Sequence, residues 1–272
     1  WTIKNFNNPS IVIGHDCSGG ELFVETSVKV FVSKGIKVYL AKTFISTPMI
    51  SLGVKKLKAS IGVVITASHN PPEYNGFKLK GYFGGPLSTE KVEEVESLIP
   101  SEDKIYLNQI NIENQIENGN IKEVDLEKMY IEKVQSSFDL KAIRNSGLNF
   151  AYDAMYGAGQ NVMKKLFPQM TFLHCDFNPS FLGQAPEPID RNLQEFSHLI
   201  KERKNIAAGL ATDGDADRIG LYNSKGEFID SHHIILLLLL YLHKYKKMTG
   251  KVVVAASTTP RVTKLAELWG LD

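Results

Sequence analysis

Three aspartates stand at alternate positions in ATDGDADRIG: Asp213, Asp215 and Asp217, spaced by Gly214 and Ala216. Carboxylates this close repel one another and need a compensating cation. The small spacers let the backbone curl so that all three face one point, and an all-oxygen ligand set suits Mg2+. The plain alternative is an acidic surface turn; the apolar strand before the loop and Arg218 after it argue against that. An EF-hand is excluded, because the sixth position from Asp213 is Arg218 rather than glycine and the twelfth is Ser224 rather than glutamate. A second stretch, GVVITASHNPPEYNGFKLKG (Gly62 to Gly81), ends a β-branched run on Ala67-Ser68-His69-Asn70. A serine at the carboxyl end of a parallel strand sits where α/β folds place their active sites. Two prolines and Asn75-Gly76 stiffen and turn the loop that follows. His69, Lys78 and Lys80 supply donors and positive charge able to hold a phosphate. Taken alone, the stretch reads equally well as a strand-ending turn with surface lysines.

These residues need elements to hold them. Strands are expected at SIVIGHD, IKVYLAK and IGVVITAS, separated by helices at Glu21 to Gly35 and Thr47 to Ala59, which implies βαβ units and a parallel sheet. Ser88, with Glu90 and Glu93 following, predicts a well-capped helix from Ser88 to Ile99. Residues 100–125 are polar and Asn-rich, an edge excursion with a surface loop around Gly119, before a helix returns at LEKMYIEKVQSSFD. A second α/β pattern opens at LNFAYDAMYGAG and runs through TFLHCDF, a polar helix near Asn192 to Lys204, and the strand AAGLAT that feeds the aspartates. Next come an apolar helix from His233, expected to be buried, a strand at GKVVVAAS and a helix after Pro260. The fold class is therefore α/β: successive α/β/α domains with mixed, mostly parallel sheets. The expected boundaries are 1–140, 141–230 and 231–272, the last the beginning of a third domain. The glycines of AMYGAG lack G-x-G-x-x-G spacing and read as packing or turn glycines. His232 and His233 read as a helix start, and Thr258 and Thr259 are candidates to face substrate.

Bulk properties narrow the partners. The 272 residues are 43% hydrophobic and 22% charged, enough apolar surface for a substantial core. A net charge of +1 offers no general attraction to nucleic acid or to an anionic membrane, so any anion site is local. Cys17 and Cys175 are far apart, which favours free thiols in a reducing compartment and points to the cytoplasm. The longest apolar run, Ile234 to Leu242, has nine residues, against about 20 for a membrane helix. Oligomeric state is not legible.

TASHNPPEYNGFK together with DGDADR resembles the α-D-phosphohexomutases, the phosphoglucomutase and phosphomannomutase family. GIKVYLAK, STPMISLGVKKLKASIGVVI, YDAMYGAG and PEPIDRNLQEF extend the resemblance over nearly the whole chain. It implies that Ser68 carries a phosphoryl group and that Asp213, Asp215 and Asp217 hold Mg2+ together with a phosphoserine oxygen. It places Arg218 beside the phosphoserine and makes Lys78 a candidate for proton transfer, with His69 and Asn70 in the same loop. The implied reaction moves phosphate between O1 and O6 of a hexose phosphate through a hexose 1,6-bisphosphate. The charges fit: phosphoserine brings about −1.5 to −2, three carboxylates follow, and one Mg2+, Arg218 and the lysines offset most of the sum. A serine hydroxyl needs help to act as a nucleophile, and Lys78 and His69 are both placed to assist.

Two departures accompany the resemblance. In GHDCSGG no arginine follows the aspartate where the family's Gly-x-Asp-x-Arg stretch has one. The chain also stops at Asp272, before the family's sugar-selecting and substrate-phosphate loops, so a fragment unable to turn over sugar by itself is expected. A phosphoglucosamine mutase shares both motifs and is the near alternative; a non-catalytic homologue retaining the fold is the distant one. A hydrolase phosphorylated on the first aspartate of D-x-D-x-[TV] is excluded, because Ile219 stands where Asp215 would need Thr or Val.

Overall fold

The computed structural model describes residues 1–71, 73–102 and 107–272. Pro72, counted above among the residues stiffening the serine loop, and residues 103–106 of the Asn-rich excursion lie outside the described residues. A short helix α1 (Thr2–Asn5) precedes β1 (Ser10–His15), α2 (Glu21–Ser33), β2 (Lys37–Ala41), α3 (Thr47–Leu57), β3 (Ile61–Thr66), β4 (Gly76–Gly81), α4 (Thr89–Glu96), α5 (Ile112–Glu117) and β5 (Ile121–Val124). The five strands form one sheet in the order β4-β3-β1-β2-β5, with β4 antiparallel to β3 and the other pairings parallel. Side chains of a strand alternate between the two faces. Ile11, Ile13, Val63 and Ile65 accordingly meet Val24 and Val28 of α2 on one side, while Val12 and Val64 meet Met49, Ile50 and Val54 of α3 on the other. Covering both faces is what allows β3 to be buried along its whole length.

Helices α6 (Leu126–Ser137) and α7 (Leu140–Arg144) lead to β6 (Asn149–Asp153), α8 (Gln160–Leu166), β7 (Thr171–Leu173), α9 (Gln194–Arg203), β8 (Ile206–Thr212), β9 (Ile219–Asn223) and β10 (Phe228–Ile229). Their sheet has the order β10-β9-β8-β6-β7; β6, β7 and β8 are parallel, and β9 and β10 run antiparallel to their neighbours. Phe196 and Ile200 of α9 fill one face and Met163 of α8 packs against the other. Both sheets thus pass from a parallel strand through a loop into an antiparallel neighbour. The β3–β4 loop carries Ser68 and the β8–β9 loop carries Asp213, Asp215 and Asp217, so the two chemical motifs occupy equivalent places in two similar units. Cys17 and Ala67 pack with Ala158 and Phe181 across the units, and the Phe44 and Phe177 rings stack at 5.8 Å.

Three expectations are corrected. The helix of IILLLLLYL, α10 (Ser231–Leu240), has no buried residue, and Leu237 and Leu238 are 51% and 53% exposed: its apolar surface lacks a covering layer among the described residues. GKVVVAAS forms no strand; Val253 is exposed and Thr258 donates its N–H back to Ala255 in a turn before α11 (Pro260–Leu268), which Thr259 caps. A strand needs a neighbour to bond to, and none adjoins this segment among the described residues. Ser88 stands at the N-cap of α4 in an extended conformation, yet its side chain makes no capping bond. Both cysteines are free, as expected; both are also buried, and burial pushes both thiols up, Cys175 to about 11. No helix among the described residues is long and apolar enough to cross a membrane.

Candidate active site

Ser68 lies two residues past β3, half-buried, with φ +55°. A left-handed backbone costs an ordinary residue about 1–2 kcal/mol, so neighbouring bonds must hold it. The Ser68 N–H donates to Thr66 Oγ1 at 2.7 Å, and the Thr66 hydroxyl donates in turn to Oδ2 of Asp16, which is fully buried at the end of β1. Asp16 Oδ1 accepts the Ser18 hydroxyl and, at 2.8 Å, the Ser18 N–H. Burial pushes the Asp16 carboxyl up against the pull of these donors. Asn75 ties the far end of the loop back, its Nδ2 donating to the Ser18 carbonyl at 3.3 Å. Ser18 is the residue standing where the resembled family has arginine, and here a short hydroxyl closes the network in place of a guanidinium.

The aspartate loop is wound tightly. Asp213 Oδ1 accepts the N–H groups of Asp217 (2.9 Å) and Arg218 (3.0 Å), and Ala216 takes φ +52° to complete the curl. Asp215 Oδ2 accepts the Thr47 hydroxyl and the Lys78 ammonium at 2.6 Å; Lys78 Nζ is also 3.1 Å from Asp217 Oδ2. The opposite oxygens, Asp213 Oδ2 and Asp215 Oδ1, are buried without any hydrogen-bond partner. Each of the three carboxylates offers one oxygen within 4.8 Å of the others. Unpartnered buried carboxylate oxygens are costly unless a cation meets them. A hard, oxygen-seeking divalent ion fits this donor set, and Mg2+ is such an ion. The protons respond to the crowding: burial and then the adjacent Asp215 charge push Asp213 up to about 7. Burial works to raise Asp215 as well, but the Lys78 and Thr47 hydrogen bonds outweigh it and hold that carboxyl below its ordinary value. Lys78 is raised, its two carboxylate partners overcoming burial.

The two loops meet closely. A Cβ on Gly214 would lie 2.4 Å from the Ser68 carbonyl oxygen, so only glycine permits this approach. The AMYGAG turn packs from behind: Ala158 N–H donates to Gly214 O at 2.8 Å, and a Cβ on Gly157 would strike three backbone carbonyls within 2.9 Å. Its glycines therefore serve packing, as their spacing indicated. His69 Nδ1 is 3.4 Å from Ser68 Oγ. Arg218 is half-exposed, with Nε 3.9 Å from Asp213 Oδ2. Lys80 lines the same strand as Lys78 and is buried; burial, then Lys78, pushes its ammonium down. His232 and His233 stand at the start of α10, where Asp230 accepts the His233 N–H, away from any acidic cluster of the site. Thr47, Thr66, Asp16 and Ser18 are the residues that motif reading passed over. Only the Thr-Pro start of α3 and the Gly-x-Asp at the end of β1 mark them in sequence, and neither names its distant partner.

Comparison with known proteins agrees with this geometry. Residues 2–106 match the model "Phosphoglucomutase/phosphomannomutase, alpha/beta/alpha domain I", and residues 128–226 match the corresponding domain II. A phosphoglucomutase of Staphylococcus haemolyticus is 32% identical over 92% of this chain and 48% of its own length. A phosphoglucosamine mutase of Shouchella clausii is 29% identical, covering 92% of this chain and 55% of its own. A solved structure of a Thermus thermophilus protein assigned as a phosphomannomutase superposes with TM-score 0.89 at 30% identity, over 99% of this chain and 60% of that one. The chain belongs to the phosphoglucomutase/phosphomannomutase family of α-D-phosphohexomutases. It spans about half the length of the curated relatives it matches.

Proposed function

We propose that this chain carries the phosphoryl-transfer centre of a Mg2+-dependent phosphohexomutase, an isomerase that moves phosphate between O1 and O6 of a hexose through a hexose 1,6-bisphosphate. The observation that carries the reading is the pair of unpartnered oxygens, Asp213 Oδ2 and Asp215 Oδ1, in a loop pressed against Ser68. In the transfer a sugar oxygen bonds to phosphorus, the bond from phosphorus to Ser68 Oγ breaks, and the proton of the sugar hydroxyl ends on the departing Ser68 Oγ; the return step moves a phosphoryl group from the other sugar oxygen back to Ser68 Oγ, with the proton passing to that sugar oxygen. Asp213, Asp215 and Asp217 hold the Mg2+, which when bound acts as a Lewis acid on phosphoryl oxygen. The Asp16–Thr66–Ser18 network holds the strained Ser68 in one orientation. Lys78 and Arg218 add positive charge to a crowded anionic centre. His69, whose Nδ1 is 3.4 Å from Ser68 Oγ, and Lys78 are the two groups placed to move the proton. The substrate class is hexose phosphates, with glucose, mannose and glucosamine phosphates in view because relatives bear those names. In this reading residues 1–140 form the phosphoserine domain, 141–230 the metal domain and 231–272 the opening of a third.

The test is phosphorylation at one atom. After incubation with glucose 1,6-bisphosphate and Mg2+, the peptide containing Ser68 is expected to gain the mass of one phosphoryl group. Ser68→Ala is expected to gain none. Equal phosphorylation of the variant, or label on another residue, overturns the reading.

A further inference from the structure

The metal loop belongs to the second sheet, but its central aspartate is gripped from the first. Thr47 opens α3, an 11-residue helix whose N-cap, Ser46, makes no side-chain capping bond. The first N–H of that helix would lack a partner within its own unit. It donates instead to the Asp215 main-chain carbonyl at 2.9 Å, and the Thr47 hydroxyl donates to Asp215 Oδ2. Thr47 is 2% exposed and Asp215 is fully buried, so water competes for neither bond. One residue of the metal loop thus takes both donors of one residue in the other unit, at the positive end of a helix, where a carboxylate is favoured.

The consequence lies in which oxygen is left over. Asp215 Oδ2 is occupied by Thr47 and Lys78, while Oδ1 is buried and unpartnered. Half a turn about the Cβ–Cγ bond would exchange the two oxygens. Lys78 cannot prevent this alone, since its ammonium rides on a flexible four-carbon stem. Thr47 can: its β-branched side chain is stiff about χ1, and its backbone is bonded to the same residue. Groups of this kind, bonded to a metal ligand rather than to the metal, orient the ligand, and losing one typically costs 10–100-fold in affinity.

We infer that Thr47 is a positioning residue for the metal loop: it caps its own helix with Asp215 and locks that carboxylate so that Oδ1 is presented to the cation. The inference rests on the metal-site reading above. It also makes cation binding a property of the two units together, because the clamp and the ligands come from different sheets.

The experiment measures Mg2+ affinity of the whole 272-residue chain by titration calorimetry. Thr47→Val keeps the shape and removes the hydroxyl; it is expected to bind Mg2+ about 10–100-fold more weakly. Thr47→Ser restores the hydroxyl and is expected to recover most of the affinity, a rescue that a purely packing role would not show. Ser46→Ala, one residue away, is expected to leave the affinity unchanged. If Thr47→Val binds like the parent while Asp215→Asn loses binding, the positioning role is refuted and the metal site stands. If Asp215→Asn also binds like the parent, the metal site itself is refuted. Hydrogen exchange on the unmodified chain gives a second readout needing no variant. Mg2+ is expected to slow exchange of the Thr47 amide, and an unchanged rate counts against the clamp.

Discussion

Gly214→Ala isolates the closeness of the two loops, because it adds one methyl group and removes nothing. The added Cβ would sit 2.4 Å from the Ser68 carbonyl oxygen and 3.0 Å from Cγ of Pro186. The obstacle is main chain, so no rotamer change relieves it. The loops must part by about 1 Å, from 2.4 Å to the 3.4 Å at which ordinary contact begins. Forcing an extra methyl into a packed site costs about 1–3 kcal/mol, and displacing a reacting group by about 1 Å costs on the order of 100-fold in rate. Gly214 has no positive φ, so the backbone conformation itself does not oppose alanine, and the loss of unfolded-chain freedom would stabilise by about 0.4–1 kcal/mol, against the clash. Urea denaturation monitored by circular dichroism is expected to show a loss of about 1–3 kcal/mol, with Ser68 phosphorylation by glucose 1,6-bisphosphate slowed about 100-fold. A variant within about 0.5 kcal/mol of the parent, the usual range of a neutral surface change, and phosphorylated at the parent rate would refute the argument that Ser68 and the metal loop are in contact at Gly214.

Gly157→Ala should be destabilising by a similar amount, about 1–3 kcal/mol, because its Cβ would meet the carbonyl oxygens of Asp213, Gly214 and Ala154 at 2.7, 2.8 and 2.9 Å; the same denaturation measurement decides it. Mg2+ should raise the melting temperature of the parent and leave that of Asp213→Asn nearly unchanged, as a ligand bound only to the folded state stabilises it; equal shifts in both would count against the site. His174 supplies a pH dependence away from the site. Its Nδ1 is 3.1 Å from Asp153 and its Nε2 3.3 Å from Glu195, and the hydrogen bond to Asp153, outweighing burial, raises it above its ordinary 6.5. The stability it contributes is therefore complete below about pH 6.5 and is lost as pH rises through the raised value. His174→Gln should cost most near about pH 5.5 and least near about pH 9; a loss independent of pH would exclude the ion pairs as its source.

Much of this protein is legible in local pattern. The β-branched run ending at Ser68, the alternation Asp213-Gly214-Asp215-Ala216-Asp217 and the helix starts at Thr47 and at His232-His233 follow from side-chain type and spacing, which act over a few residues and need no distant partner. The repeated α/β layout is legible for the same reason. Packing decided the rest. The runs Ile234 to Leu242 and GKVVVAAS look like core by composition, but burial needs a covering layer and a strand needs a neighbour, and neither is supplied among the described residues. The site shows the same division. Sequence identifies three carboxylates and a serine about 145 residues apart. Only the tertiary structure brings Ser68 against Gly214, lays Lys78 and Thr47 on one oxygen of Asp215, and leaves the other oxygen without a partner. Which oxygen is free depends on bonds spanning 168 residues between two sheets, and no local pattern encodes a contact at that range.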